Sequence, residues 1–184
     1  MDILNALKDC LTGSDSSDLP QSTFNANFNV KPPISPSEDD LATSILQTIL
    51  STEKTGSALE VQLESLVHAN SWTSSLAQHL LDSLVHALNS GARMSGVMKE
   101  AFDRSSAVVE HFVAEHPVLV PVVVTLVAIG ILVLLVPWAV EALGFADLGP
   151  VEGSWAALWQ STFPDVTVDS WFAFFQRLGM KWAK

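Results

Sequence analysis

The sequence predicts an all-α protein, with amphipathic helices leading into one hydrophobic helix of transmembrane character and then into short aromatic helices. Three observations predict it. Residues 117 to 140 contain no ionisable side chain across 24 positions, and nine Val, five Leu and two Ile fill most of them. Before this run, apolar residues recur at helical spacing behind N-cap residues. After it, Trp and Phe concentrate in a short C-terminal stretch.

The apolar run sets the class. A bilayer core of roughly 30 Å takes about 20 residues rising 1.5 Å each. Sixteen branched aliphatics at about −0.3 to −0.6 kcal/mol apiece favour insertion by roughly −5 to −10 kcal/mol. Pro117, Pro121 and Pro137 fall near its ends, where a missing N–H is tolerated. Val122, Val123, Leu126, Ile129, Leu132 and Leu135 are the side chains expected in the membrane. The competing expectation is a wholly buried helix or strand inside a soluble bundle, because Val also favours strands.

The 184 residues carry 20 acids and 9 Lys or Arg, for a net charge of −11. Residues 1 to 116 hold 15 of the acids and 6 of the bases. This balance argues against nucleic-acid binding and against electrostatic docking on anionic lipid. Hydrophobic insertion is left to drive any membrane binding. The lone Cys10 excludes an internal disulfide, and no Asn-x-Ser/Thr acceptor occurs, so the chain is compatible with a cytosol-facing protein. It opens Met1-Asp2-Ile3-Leu4 without the basic n-region of a secretory signal, so any targeting information is expected internally.

Residues 1 to 36 read as a flexible N-terminal segment. Ile3, Leu4, Leu7 and Leu11 suit a short amphipathic helix, which Gly13 would end before a stretch holding Pro20, Pro32, Pro33 and Pro36. Residues 37 to 116 read as an amphipathic helical region. Ser37-Glu38-Asp39-Asp40 is an N-cap and acidic first turn ahead of Leu41, Ile45, Leu46, Ile49 and Leu50. Ser57 to Glu60 has the pattern of a capping box before Leu59, Leu63, Leu66 and Val67. A third helix is expected to start near Ser71 with Leu76, Leu80, Leu84 and Leu88, stopping at Gly91. A fourth carries Val97, Phe102, Val108 and Val109 towards Pro117. Leu63-Glu64-Ser65-Leu66-Val67-His68-Ala69 recurs as Leu81-Asp82-Ser83-Leu84-Val85-His86-Ala87, five helical turns on. The two copies would share one face of a continuous rod, or pack antiparallel if the chain turns near Asn70-Ser71.

No nucleophile elbow, phosphate loop, HExxH or CxxC pattern is present, so no catalytic residue, cofactor or metal is expected. His68, His79 and His86 share a stripe, with Glu64 and Asp82 four residues ahead of the first and last. On a straight helix His68 and His86 lie roughly 27 Å apart, too far for one metal ion, and a solvated polar face is expected. Glu141 and Glu152 are expected at the headgroup level, and Cys10 as a free thiol rather than an acylation site.

Residues 117 to 184 form the expected membrane-associated region. Trp138, Trp155, Trp159, Trp171, Phe175 and Trp182 are the candidate interfacial aromatics. Trp171, Phe174, Phe175, Leu178 and Trp182 make one helical stripe with Gln176, Arg177, Lys181 and Lys184 on the other side, a pattern suited to the headgroup boundary. The rival reading packs the stripe against the apolar helix in a soluble bundle.

Ser154-Trp155-Ala156-Ala157-Leu158-Trp159-Gln160 is echoed by Ser170-Trp171-Phe172-Ala173-Phe174-Phe175-Gln176. With Leu143, Gly144, Phe145, Gly149, Val151, Gly153, Ser154, Ala156, Ala157, Gln160 and Ser161 in ordered register, the C-terminal third resembles the interferon-alpha-inducible protein 6/27 family. The second copy departs from the pattern, with Asp169 in place of the second Gly and Arg177 after Gln176. The resemblance implies a small, non-enzymatic, hydrophobic helical protein of mitochondrial or endoplasmic-reticulum membranes, acting in innate immunity, stress or cell-death control. The expected partners are a lipid membrane, a second copy of the chain and a protein bound to the helices of residues 37 to 112. The alternative is a soluble helical bundle that hides residues 117 to 140 and inserts them to permeabilise membranes.

Overall fold

A computed structural model describes residues 37 to 68, 71 to 146 and 149 to 179. The expected N-terminal helix and linker, Cys10, Lys181, Trp182 and Lys184 lie outside the described residues.

The chain is built from α1 (Glu38–Ser51), α2 (Ser57–Glu64), α3 (Ser74–Asn89) and α4 (Gly96–Glu115), followed by a 3₁₀ turn (Pro117–Val122), α5 (Val123–Leu135) and α6 (Pro137–Ala142). A two-residue antiparallel ladder pairs β1 (Phe145–Ala146) with β2 (Gly149–Pro150), Phe145 opposite Pro150. α7 (Trp155–Ser161) and α8 (Val168–Leu178) complete the order. The all-α class is thus confirmed among the described residues.

Helix starts follow local hydrogen-bond chemistry. Ser37 accepts from the Asp40 N–H while its own N–H donates to the Asp40 carboxylate, a reciprocal cap that satisfies two orphan donors of α1. Thr73 and Ser95 cap α3 and α4 by accepting from Leu76 and Met98. α2 differs from expectation. Its N-cap is Gly56, at φ 55°, and no side chain caps it. The backbone turns into the helix at that glycine, so Ser57 is already helical and cannot serve as the box residue. At the end of α3, Gly91 sits at φ 67°, with Gly91 N–H donating to Leu88 and Ala92 N–H to Ala87. That pair of bonds is a Schellman stop at the expected glycine.

The repeated heptapeptide takes two different conformations. Leu63 and Leu81 are both buried. The first copy leaves its helix after Glu64 and turns through Ser65 to His68, whereas the second stays inside α3. Neither a continuous rod nor a pair of equivalent helices results.

α5 forms the axis of the bundle. α4 packs along it most extensively, α3 next, and α8 and α6 close further sides, while α1 lies on α3. The segments 37 to 116 and 117 to 179 therefore contribute to one hydrophobic core. The face that α4 turns inward is Met98, Ala101, Ser105, Val109 and Phe112. Of the apolar residues expected on that face, Val109 is buried, while Val97, Phe102 and Val108 only flank it. Close approach to α5 selects the small residues: a Cβ added at Gly130 would lie 2.8 Å from Ser105 Cβ and Oγ.

The apolar run is one stretch in sequence and three pieces in space. Val136 leaves the helix at φ −141° and ψ 63°, and Pro137 starts α6. Proline disfavours the α conformation in its predecessor and cannot donate to a continuing ladder, which ends α5 at Leu135. Pro117 and Pro121 similarly hold the entry as a 3₁₀ turn.

Candidate functional site

Among the described residues, one helical stretch, Pro117–Leu135, is long and apolar enough to cross a membrane. Its burial is graded along its length. Pro121 is exposed, Val122 to Thr125 are half-buried, and Leu126 to Val133 are buried without interruption. Of the side chains expected in lipid, Leu126, Ile129, Leu132 and Leu135 lie in the protein core, and Val122 and Val123 are half-buried. Each fully buried aliphatic contributes about 1.5–3 kcal/mol relative to exposure to water. Hydrocarbon tails are as apolar as Leu, so moving these side chains from core to lipid leaves that contribution nearly unchanged. Moving them into water forfeits it.

An aromatic cluster covers the side of the bundle built by α4, α7 and α8. Its rings touch in a closed circuit. Phe112 meets Trp171 at 5.3 Å, Trp171 meets Trp159 at 5.2 Å, and Trp159 stacks on Trp155 at 5.4 Å and 11°. From there Trp155 reaches Phe145 at 6.3 Å, Phe145 reaches Phe175 at 4.7 Å, and Phe175 and Phe174 lead back to Phe112. Such pairs are worth about 0.5–1.5 kcal/mol each beyond area burial. Trp171 and Phe175, expected at a lipid interface, are 3% and 2% exposed, and Phe174 and Leu178 are buried beside them. The stripe of α8 packs into the bundle. Trp138, Trp155 and Trp159 are half-buried. The indole N–H of Trp171 and the hydroxyl of Ser105 are buried without a hydrogen-bond partner.

The family-like residues build a corner. Leu143 and Phe145 are buried, and Gly144, at φ 94°, faces Ser154 so closely that any side chain there would overlap it. Gly149 and Gly153 also carry positive φ, at 121° and 75°. Val151 N–H donates to Gly144 and Ala156 N–H to Leu143, while the Ser154 hydroxyl accepts from Ala157 and so caps α7. Gln160 is buried, and the Ser161 hydroxyl donates back to Leu158. These positions are explained by a tight hairpin and a helix start.

The polar candidates disperse. His79 Nδ1 lies 2.7 Å from Asp39, tying α3 to α1, whereas His68 and His86 are exposed and form no ion pair with Glu64 or Asp82. Among the described residues no three His, Cys, Asp or Glu converge as for a metal ion. Glu141 and Glu152 are exposed, and Glu141 edges a shallow cavity of about 450 Å³ with Trp155 and Leu158. His116, Asp169 and Ser170 line another of about 220 Å³. There the Ser170 hydroxyl bonds Thr167, and His116 Nδ1 lies 3.0 Å from the Phe112 carbonyl, so no nucleophile–base bond forms.

Sequence reasoning missed four contacts between carboxylates and other elements, one of them Glu115 with Arg177 at 3.9 Å. Besides Asp39, Glu38 accepts from the Thr73 hydroxyl at 2.7 Å, and Glu53 accepts from the Gly96 N–H at 3.4 Å. Hydrogen bonds from Ser75 and Thr73 hold the Glu38 carboxyl below its ordinary value. Both carboxylates sit at helix N-termini, where the dipole favours negative charge. No spacing rule links residues 35 or more apart. Compared with protein-family models, with curated proteins and with solved structures, the chain matches none.

Proposed function

We propose that this is a non-enzymatic, membrane-acting helical bundle that holds its apolar helix within its own core and releases it to lipid. One observation carries the reading: α5, apolar all round, is sheathed by helices that each turn a single apolar stripe inward and a polar face outward. Hydrophobic free energy sets bilayer and core as near-equivalent hosts for it and excludes water. An organelle membrane, mitochondrial or endoplasmic-reticulum, and a role in innate defence or cell-death control are the setting that the resemblance to the interferon-alpha-inducible 6/27 family supports.

The test places a cysteine at Thr125, half-buried in α5, in a Cys10→Ser background and labels it with an environment-sensitive dye. In detergent-free buffer the protein is expected to be monodisperse, and on vesicles the dye is expected to be quenched by a lipid-phase quencher as entrapped solute leaks. Vesicles that stay sealed and a dye that stays unquenched would overturn release. A protein that leaves cell membranes only with detergent, and never remains monodisperse without it, would instead favour a constitutively embedded form.

A further inference from the structure

We infer that the 3₁₀ turn Pro117–Val122 is the tip that first touches lipid, and that its natural surface is zwitterionic, of phosphocholine type; this rests on the release reading above. The turn leaves its apolar side chains in water, with Val118 41% and Val120 59% exposed. Leu119 is its one fully buried side chain, and Val122 at its end packs half-buried against the core. Prolines stand at positions 117 and 121, and both are exposed. Exposed valines occur elsewhere, but here they open directly into the burial gradient of the spanning stretch. A membrane that accepts Val118 and Val120 can go on to accept Val122, Val123 and then Leu126 without meeting an ionisable group before Glu141. No protein groove of ordinary size offers that continuous path, whereas hydrocarbon does.

Charge selects the lipid. Glu115 lies two residues ahead of the turn, half-exposed, with its carboxylate 3.9 Å from Arg177 and 3.7 Å from His111. The chain as a whole carries −11. Around the turn Glu115 and Asp169 are set against Arg177, His111 and His116, so no cationic cluster recruits anionic headgroups there, and the overall charge opposes them. The i→i+3 bonds of a 3₁₀ run have poorer geometry than those of α5 behind it, and Pro117 and Pro121 donate none. The tip is thus the part of the apolar stretch least tied to the bundle.

The experiment compares co-flotation with phosphatidylcholine vesicles for wild type, for Val118→Asp/Val120→Asp, and for a charge-matched control, Val61→Asp/Leu158→Asp. The control positions are 67% and 66% exposed and lie on α2 and α7. All altered side chains are solvent-facing, and an unchanged thermal transition verifies the fold. The tip variant is expected to lose bound fraction by about tenfold or more, since carboxylates on an inserting segment are strongly disfavoured. The control is expected to bind within about twofold of wild type, as exposed sites away from the insertion path demand. Wild-type binding that the tip variant retains, or that both variants lose equally, overturns the tip while leaving release intact. Wild-type binding confined to anionic vesicles overturns the lipid class. A wild type that binds no vesicle of any composition overturns the tip and the release reading together.

Discussion

α5 and the inward stripe of α8 are both built of large apolar side chains, yet the bundle treats the two helices differently. α8 turns Trp171, Phe174, Phe175 and Leu178 into the core and leaves Gln176 and Arg177 in water. An amphipathic helix needs one neighbour, and α8 has found it in α4 and the aromatic circuit. α5 has no polar face to leave outside. It must be enclosed on every side, and the enclosure is complete from Leu126 to Val133 but not at its entry. Satisfied amphipathicity makes α8 a structural element, whereas the incomplete enclosure of α5 at its entry is the feature on which the proposed release rests.

Removing the aromatic packing should break that contrast most severely. Phe174→Ala deletes a ring in contact with Phe112, Trp171 and Phe175; urea unfolding should show a loss of about 3–5 kcal/mol, and a loss under 1 kcal/mol would mean α8 is not part of the stabilising core. Gly130→Val forces a branched side chain against Ser105. It should cost about 1–3 kcal/mol through overpacking and, by loosening α5 from α4, raise vesicle leakage. Unchanged leakage despite that destabilisation would uncouple release from this helix contact. Ser105→Ala removes a buried hydroxyl that has no partner, so stability should stay within about 1 kcal/mol of wild type or rise. A larger loss would show that the hydroxyl is bonded in solution.

The smallest effect expected is that of pH at Glu38. Its carboxyl titrates below the ordinary 4.5 because Ser75 and Thr73 donate to its charged form. A depressed folded-state value makes the contribution complete above the unfolded value and lost as pH falls through the folded one. Glu38→Gln should therefore cost its small contribution in full at neutral pH, with the difference from wild type fading as pH falls below about 4.5. A Gln variant whose profile matches wild type through acid would show that the bonds from Ser75 and Thr73 carry no linkage.

What the sequence made legible was local. Ser37 with Asp40, Gly91 as a stop and the stripe of α8 all follow from residues within one or two turns of each other, and the apolar run needed no partner to be recognised. What stayed hidden was set by distant chain. The inward face of α4 is chosen by Gly130, 25 positions beyond Ser105, because only small residues allow that crossing. The two heptapeptide copies diverge because the chain turns at Ser65 to His68, and side chains that differ only at Glu64 and Asp82 cannot announce different surroundings. The aromatic residues allowed a lipid boundary or a core, and tertiary packing chose the core for Trp171 and Phe175. The polar candidate sites were legible only as dispersed surface groups.

The kink at Val136 carries a mechanical consequence. Thirteen residues of α5 measure about 20 Å end to end, some 10 Å short of a typical hydrocarbon slab. Alone it reaches little more than one leaflet. On the proposed release to lipid, bridging both would require rewinding Pro117–Val122 onto the front of the rod or drawing the slab thinner around it, and a few prolines would then govern the depth of penetration more than the greasiness of the valines between them.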